Sequence, residues 1–270
     1  MTSSTPTDHA SPAGVRVEVA LDDVGGAAAA RAGGADRVEL CAALDVGGTT
    51  PSLGFVLHAA AEAGPLGLQV LLRPRGGDFV LDEDETAVVL ADVAAVRSAL
   101  GDDPRLGFTF GALTPEGRID LPVVARVVEA CGPHPVVFHK AFDTAVVAAR
   151  SGGEPAAGLT ALVEEVVEAG VAAVLTAGGD GPVVDHLDPL AELVAAAGDR
   201  LRVVAGGGVR PANVRDVVAA TGCREVHLRA TRPVPSRSRV ASAQYDAAER
   251  LVTSADVVAD LVARLGAPGS

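Results

Sequence analysis

Between residues 15 and 229 the chain repeats one rhythm eight times: a short apolar run, a small loop, then an Ala/Val-rich stretch at helical spacing. The apolar runs are 15–20, 36–41, 67–73, 105–111, 135–139, 172–176, 201–205 and 224–229. Helical spacing of apolar residues fills 22–33, 52–63, 84–100, 120–131, 159–169, 185–197 and 211–221, and a last helix is expected at 255–265. Asp22, Ser52, Asp120, Asp185 and Ser254 stand where helices begin, and Gly33, Gly64, Gly101 and Gly170 where they stop. Eight strand–helix units in series predict an α/β chain, a (β/α)8 TIM-type barrel of one domain, at the usual size of about 250 residues. A doubly wound open sheet would show fewer units and a GxGxxG turn after the first strand, and residues 20–26 (ALDDVGG) do not provide one. Residues 1–14 read as a disordered tail before a domain at 15–270, and 150–158 and 231–254 as long loops.

Such a barrel must be built from aliphatics, because 49% of the residues are hydrophobic but only 3% aromatic. Branched aliphatics suit strands sandwiched between core and helices. The formal charge of -13, with no basic stripe, would repel a nucleic-acid backbone. No apolar run reaches the roughly 20 residues of a membrane span. The first residues lack the basic and apolar regions of a signal peptide. Three widely spaced cysteines make neither a disulfide framework nor a zinc spacing, and free thiols fit a reducing cytoplasm.

Alternation assigns one face of each strand to the helices and the other to the barrel interior. The helix face is apolar throughout: Val17 and Val19, Val38 and Leu40, Val70 and Leu72, Val226 and Leu228. The expected inward set is ionic: Arg16, Glu18, Arg37, Glu39, Cys41, Gln69, Arg73, Arg75, His139, Thr176, Glu225, His227 and Arg229, with Leu71 and Val137 among them. Ions in a low-dielectric interior must be paired or wet. At the strand starts (Arg16, Arg37, Glu225) a structural network is expected; at the strand ends, chemistry, because barrel active sites lie at the carboxyl face.

Three loops reinforce that expectation. Arg73 and Arg75 flank Pro74 and form a fork for a carboxylate or phosphate, or else neutralise Glu39 and Asp78. FHKAFD (138–143) brings His139 and Asp143 together, with Lys140 expected to point away by alternation. Gly206, Gly207 and Gly208 follow the seventh strand and lead toward a helix, the usual place of a phosphate grip in this fold; a plain turn is the other reading. Glu39 is the expected general acid or base, assisted by His139 and Asp143. Thr176 and His227 join the arginines and glycines as ligand contacts.

Taken together, GGADRVELC (33–41), GGTTPS (47–52), RPRGGDF (73–79), GFTFGALTPEGRID (107–120), FHKAFD (138–143), LTAGG (175–179), AGGGVRPANV (205–214) and REVH (224–227) resemble the CutC family, called copper homeostasis proteins. The resemblance implies a TIM-type barrel, a cytoplasmic location and a homodimer or higher homo-oligomer. The family pattern has Arg where this chain has Lys140, and a Tyr-Ser pair where it has Leu81-Asp82. Copper(I) prefers thiolate and thioether ligands. The one Met is the initiator, and Cys131 and Cys223 fall at helix ends, so Cys41, with His139 or His227, is the candidate copper ligand. Two readings follow: a copper-handling protein using Cys41, and an enzyme acting on a small anionic or phosphorylated metabolite by isomerisation or aldol-type proton transfer.

Overall fold

Strand β1 (Arg16–Leu21) pairs in parallel with β2 (Arg37–Leu40) on one side and with β8 (Glu225–Leu228) on the other, so the sheet has no edge. Between them run β3 (Gly67–Leu71), β4 (Leu106–Phe110), β5 (Val136–Phe138), β6 (Ala173–Thr176) and β7 (Arg202–Ala205), in chain order around the ring. This is the expected eight-stranded barrel, seen in a computed structural model that describes residues 14–151, 155–240 and 248–266. The expected tail, residues 1–14, lies outside the described residues but for Gly14.

Helices α1 (Gly26–Gly33), α2 (Leu53–Glu62), α3 (Glu83–Leu100) and α4 (Leu121–Cys131) follow the first four strands. Helices α5 (Ala141–Arg150) and α6 (Pro155–Glu168) both follow β5; α7 (Leu187–Ala197), α8 (Val214–Thr221) and α9 (Ala255–Gly266) complete the layer. Some starts are capped as the sequence suggests. Ser52 Oγ accepts from Phe55 N at 3.2 Å, and an Asp120 carboxylate oxygen accepts from Val123 N at 3.2 Å. Asp22 does not cap: its carboxylate accepts from Leu44 N at 3.0 Å and so ties down the loop after β2. Asp185 lies in a single 3-10 turn, while Asp82 and Glu85 form a capping box at α3. Helix α1 stops at Gly34, which takes the left-handed conformation (φ 86°), one residue past the expected Gly33. Gly33 serves packing instead, since a Cβ there would lie 2.5 Å from Val258 Cβ on α9.

Two elements differ from expectation. Helix α5 occupies 141–150, a stretch to which the sequence pattern assigns no element, and α6 starts at Pro155, inside the expected loop 150–158. The stretch after β8 contains an antiparallel hairpin of β9 (Thr231–Pro235) and β10 (Glu249–Thr253), anchored where Thr253 N donates to Asp23 at 2.9 Å.

The main core lies between strands and helices, where Val17, Val38, Leu40, Val70, Phe108 and Val226 are fully buried. Inside the ring the lining is divided. Val137, Ala173, Leu175 and Val204 form an apolar cluster on the β5–β7 side. The β8–β1–β2 side is ionic. Register puts Glu18 beside Arg37 on β2 and beside His227 on β8, and Arg16 beside Glu225. Arg37 donates to Glu18 through Nε and to Glu225 through Nη2 at 2.8 Å; Arg202 reaches Glu225 at 2.8 Å. The structural network expected at the strand starts is therefore present. Among the described residues no helix is long and apolar enough to cross a membrane.

Candidate active site at the carboxyl ends of the strands

A cavity of about 250 Å³ opens where the strands end. Its polar lining comes from Glu39, Arg73, His139, Lys140, His227 and Arg229, with the backbone of Gly47, Gly207 and Gly208. Leu71, Phe79 and Leu175 supply much of the apolar surface.

Glu39 is the penultimate residue of β2 and alternates inward with Arg37, so its carboxyl group reaches the cavity floor while the residue is only 5% exposed. Burial pushes its pKa above the ordinary carboxylate range, and the charge on Glu18 adds to that. His227 opposes the shift, with Nε2 3.7 Å from Glu39 Oε2, and Thr109 donates its hydroxyl. Burial alone would depress His227. Its Nδ1 donates to Glu18 Oε1 at 2.7 Å, and the two carboxylates carry its pKa above the ordinary value. The Glu18 carboxyl, despite burial, is held low by Arg37 and His227. A relay thus runs from Arg37 through Glu18 and His227 to Glu39, from the middle of the barrel to the floor of the cavity. A proton moving on or off Glu39 is felt along all of it.

Arg73 follows β3, the neighbour of β2, and lines the cavity wall. Its guanidinium donates to the carbonyls of Val46, Gly48 (2.8 Å) and Gly77 (2.7 Å) and rests 4.9 Å from the Phe79 ring centre. No carboxylate among the described residues pairs with it. Arg75 does not share the cavity: it turns outward to Glu85 and to Asp78, the latter at 3.1 Å. Strand β3 ends at Leu71, so alternation no longer governs residue 75. The expected two-arginine fork is one arginine.

The same cause corrects Lys140 in the other direction. Strand β5 ends at Phe138, and Lys140 begins the helical turn before α5, which swings its side chain into the cavity. A Cβ on Gly207 would lie 2.8 Å from Lys140 Nζ, so ammonium and glycine loop are neighbours. Asp143, by contrast, does not line the cavity. It accepts from Thr176 Oγ1, from Ala177 N at 2.8 Å and from Lys140 Nζ, which makes it the group that positions Lys140. Thr176 faces Asp143 and the helices, because Ala173 and Leu175 take the inward places on β6. Gly206 lies behind Leu175; Gly207 and Gly208, at φ 90° and 85°, line the cavity. Their N–H groups have no acceptor among the described residues. Helix α8 begins later than expected, at Val214, after a turn in which Asn213 Oδ1 accepts from Arg210 N and Asn213 Nδ2 donates to Gly208 O, both at 2.9 Å.

Cys41 is buried just behind this site, with Sγ 3.5 Å from Glu39 Oε2, and does not line the cavity. Burial, then the Glu39 carboxylate, push its pKa well above the usual thiol value, so the thiolate that copper(I) needs is disfavoured. Among the described residues no group of three or more His, Cys, Asp or Glu side chains is arranged to hold a metal ion. This donor set does not fit a resident copper ion.

Sequence reasoning missed Lys140 as a cavity residue, and it missed the joint role of Phe79 as a platform for Arg73 and His139. A helix-forming run directly after HK (AFDTAVVAAR) was the available signal for Lys140.

Comparison with known proteins gives a consistent result. The model of the CutC family matches residues 15–232. A CutC family protein of Xanthomonas campestris pv. campestris (strain 8004) is 42% identical over 222 residues, covering 82% of this chain and 85% of that protein. One from Caulobacter vibrioides (strain NA1000 / CB15N) is 38% identical over 256 residues, 94% of this chain and 98% of the relative. A solved structure, named as a copper homeostasis protein CutC from Streptococcus agalactiae, superposes with a TM-score of 0.69 at 27% identity, covering 79% of this chain and 97% of that one. The chain belongs to the CutC family.

Proposed function

We propose that the cavity binds a small anionic metabolite and that Glu39 exchanges a proton with it. The observation that carries this reading is Arg73: a residue only 7% exposed that lines the cavity and whose guanidinium meets carbonyls but, among the described residues, no carboxylate. A buried charge normally finds an opposite charge, and a ligand anion supplies one. Lys140 and the free N–H groups of Gly207 and Gly208 support it with a second cationic corner of the kind that holds phosphate. Glu39, with its pKa raised by burial and its link to His227, is suited to take and return a proton. Isomerisation and aldol-type proton transfer are the reaction classes this favours.

Calorimetric titration with inorganic phosphate and a panel of small sugar phosphates tests binding. Saturable heat that weakens in Gly207→Ala for every phosphate, and in Arg73→Met for the sugar phosphates, is the expected result, and no heat with any anion refutes the reading. Solvent-deuterium exchange into a bound ligand, lost in Glu39→Gln while binding persists, tests the proton step. The competing reading is copper handling, as in the name of the Streptococcus relative. One-to-one Cu(I) binding against a chelator, abolished by Cys41→Ser, would support it in place of the metabolite.

A further inference from the structure

Four buried side-chain polar atoms lack a hydrogen-bond partner among the described residues, and two of them, Arg73 Nε and His139 Nε2, are on residues that line the cavity. Both are donors. Arg73 Nε carries hydrogen by its chemistry. His139 is assigned by geometry: Ala141 N lies 3.3 Å from Nδ1 and donates to it, so in the neutral ring the hydrogen sits on Nε2. Burial, then the charge on Arg73, hold the His139 pKa down to about 3, so the ring stays neutral at ordinary pH. Both groups are locked in place. The Arg73 fork is pinned by three carbonyls, and Phe79 lies 4.9 Å from each group; Phe138 meets the imidazole edge at 5.9 Å. Gly111 leaves room for the ring, since a Cβ there would come within 2.6 Å of it.

Two rigid donors without acceptors, both packed against Phe79, are costly unless something accepts from them. Water is one acceptor; an oxygen of the ligand is the other. The phosphate corner is elsewhere. Strands β3 and β7 stand four places apart in the eight-membered ring, so Arg73 and the Gly207–Gly208 loop face each other across the cavity, with Glu39 on the floor. A ligand spanning the two corners presents a phosphate to Lys140 and the glycines, and an oxygen-bearing carbon to Arg73 and His139. The volume of about 250 Å³, below the roughly 300–1,000 Å³ of drug-sized sites, restricts it to a few carbons between those ends.

We infer that Arg73 Nε–H and His139 Nε2–H form a two-donor subsite for the oxygen of a carbonyl or carboxylate group, in a compound whose other end carries a phosphate. The inference rests on the anionic-metabolite reading of the same cavity and makes it specific. In it His139 is a neutral hydrogen-bond donor to the ligand, and not the proton-transfer partner expected from the sequence; proton exchange belongs to Glu39. A carbonyl polarised by two donors beside such a carboxyl group has an acidic α-hydrogen, which matches the proposed chemistry.

Calorimetry with three probes tests it: 2-phosphoglycolate, which carries both ends, ethyl phosphate, which lacks the carboxylate, and inorganic phosphate. Phosphoglycolate is expected to bind about 10- to 100-fold more tightly than ethyl phosphate, the ordinary worth of charge-assisted hydrogen bonds. His139→Phe keeps the ring packing and removes the donor; it should shrink that preference by about tenfold and leave ethyl phosphate affinity unchanged. In the unmodified protein the ¹⁵N signal of His139 Nε2 should move with phosphoglycolate and stay still with phosphate, a readout independent of any variant's folding. Equal affinity for phosphoglycolate and ethyl phosphate, or an unmoved Nε2 signal, overturns the two-donor subsite and leaves anion binding standing. Failure of all three probes to bind overturns both.

Discussion

Replacing Glu18 with glutamine should cost this barrel several kcal/mol, and the cost should depend on pH. Glu18 is 3% exposed and accepts from Arg37 Nε with one oxygen and from His227 Nδ1, at 2.7 Å, with the other. Glutamine has one acceptor oxygen, so its amide nitrogen must face one of those two donors, and Arg37 keeps only Glu225. Breaking a buried pair by removing one partner costs about 3–5 kcal/mol. At roughly 2–4 °C per kcal/mol for a domain of this size, the melting temperature at pH 6 should fall by about 6–20 °C. The pH dependence follows from the two shifts. The Glu18 pKa is lowered from its ordinary 4.5, so its contribution is present above 4.5 and is lost as pH falls through the lower folded value. The His227 pKa is raised from 6.5, so its contribution is full below 6.5 and is lost as pH rises through the folded value. The trio therefore stabilises most between those limits. In the glutamine variant His227 loses its main support, and burial drives its pKa down. The gap in melting temperature between parent and variant should be widest near pH 5–6 and narrow toward pH 9. Thermal melts followed by circular dichroism across that range decide it. A variant melting within about 2 °C of the parent at pH 6, or a gap that widens with alkali, would refute the relay.

Other expectations are simpler. Asp143→Ala leaves the Ala177 N–H without its acceptor and frees Lys140; we expect a loss of about 1–3 kcal/mol in urea denaturation together with weaker phosphate binding, and an unchanged midpoint contradicts the positioning role. Gly207→Ala sets a Cβ at φ 90°, 2.8 Å from Lys140 Nζ and 3.0 Å from Ala177 Cβ; phosphate affinity should drop about tenfold or more in calorimetry, consistent with loss of one or more charge-assisted bonds. Gly111→Ala drives a methyl against the His139 ring and should destabilise by about 1–3 kcal/mol in the same urea assay, as overpacking does.

The barrel was legible because its strands and helices are written in different periods, and because the ionic inward residues of β1, β2 and β8 alternate with valine and leucine. Glu39, His227 and the Glu18–Arg37–Glu225 network follow directly from that period of two. The failures occur where the period was carried past the end of a strand. Arg75 stands four residues beyond Leu71, and Lys140 two beyond Phe138, where a turn resets the direction of every side chain. Thr176 misled for another reason: on β6 the polar residue faces the helices and the apolar ones face the barrel, so polarity was a false guide to the interior. Helix α5 was hidden because it begins without a capping side chain, directly on Lys140. The β9–β10 hairpin was hidden because TRPVP and ERLVT are largely exposed and carry no apolar alternation.

The divided lining of the barrel gives substitution a direction. On the side of Val137, Ala173, Leu175 and Val204 the neighbours interact through volume alone, so one aliphatic can replace another for a small cost, with the rest repacking around it. Across the ring, each change uncovers a charge that no rotamer adjustment can neutralise, and a second change must accompany the first. A saturation screen of the strands should therefore show one permissive arc and one forbidding arc, meeting at the cavity. New ligand shapes are open to this scaffold through the permissive arc, while the proton chemistry proposed for Glu39 is anchored in the other.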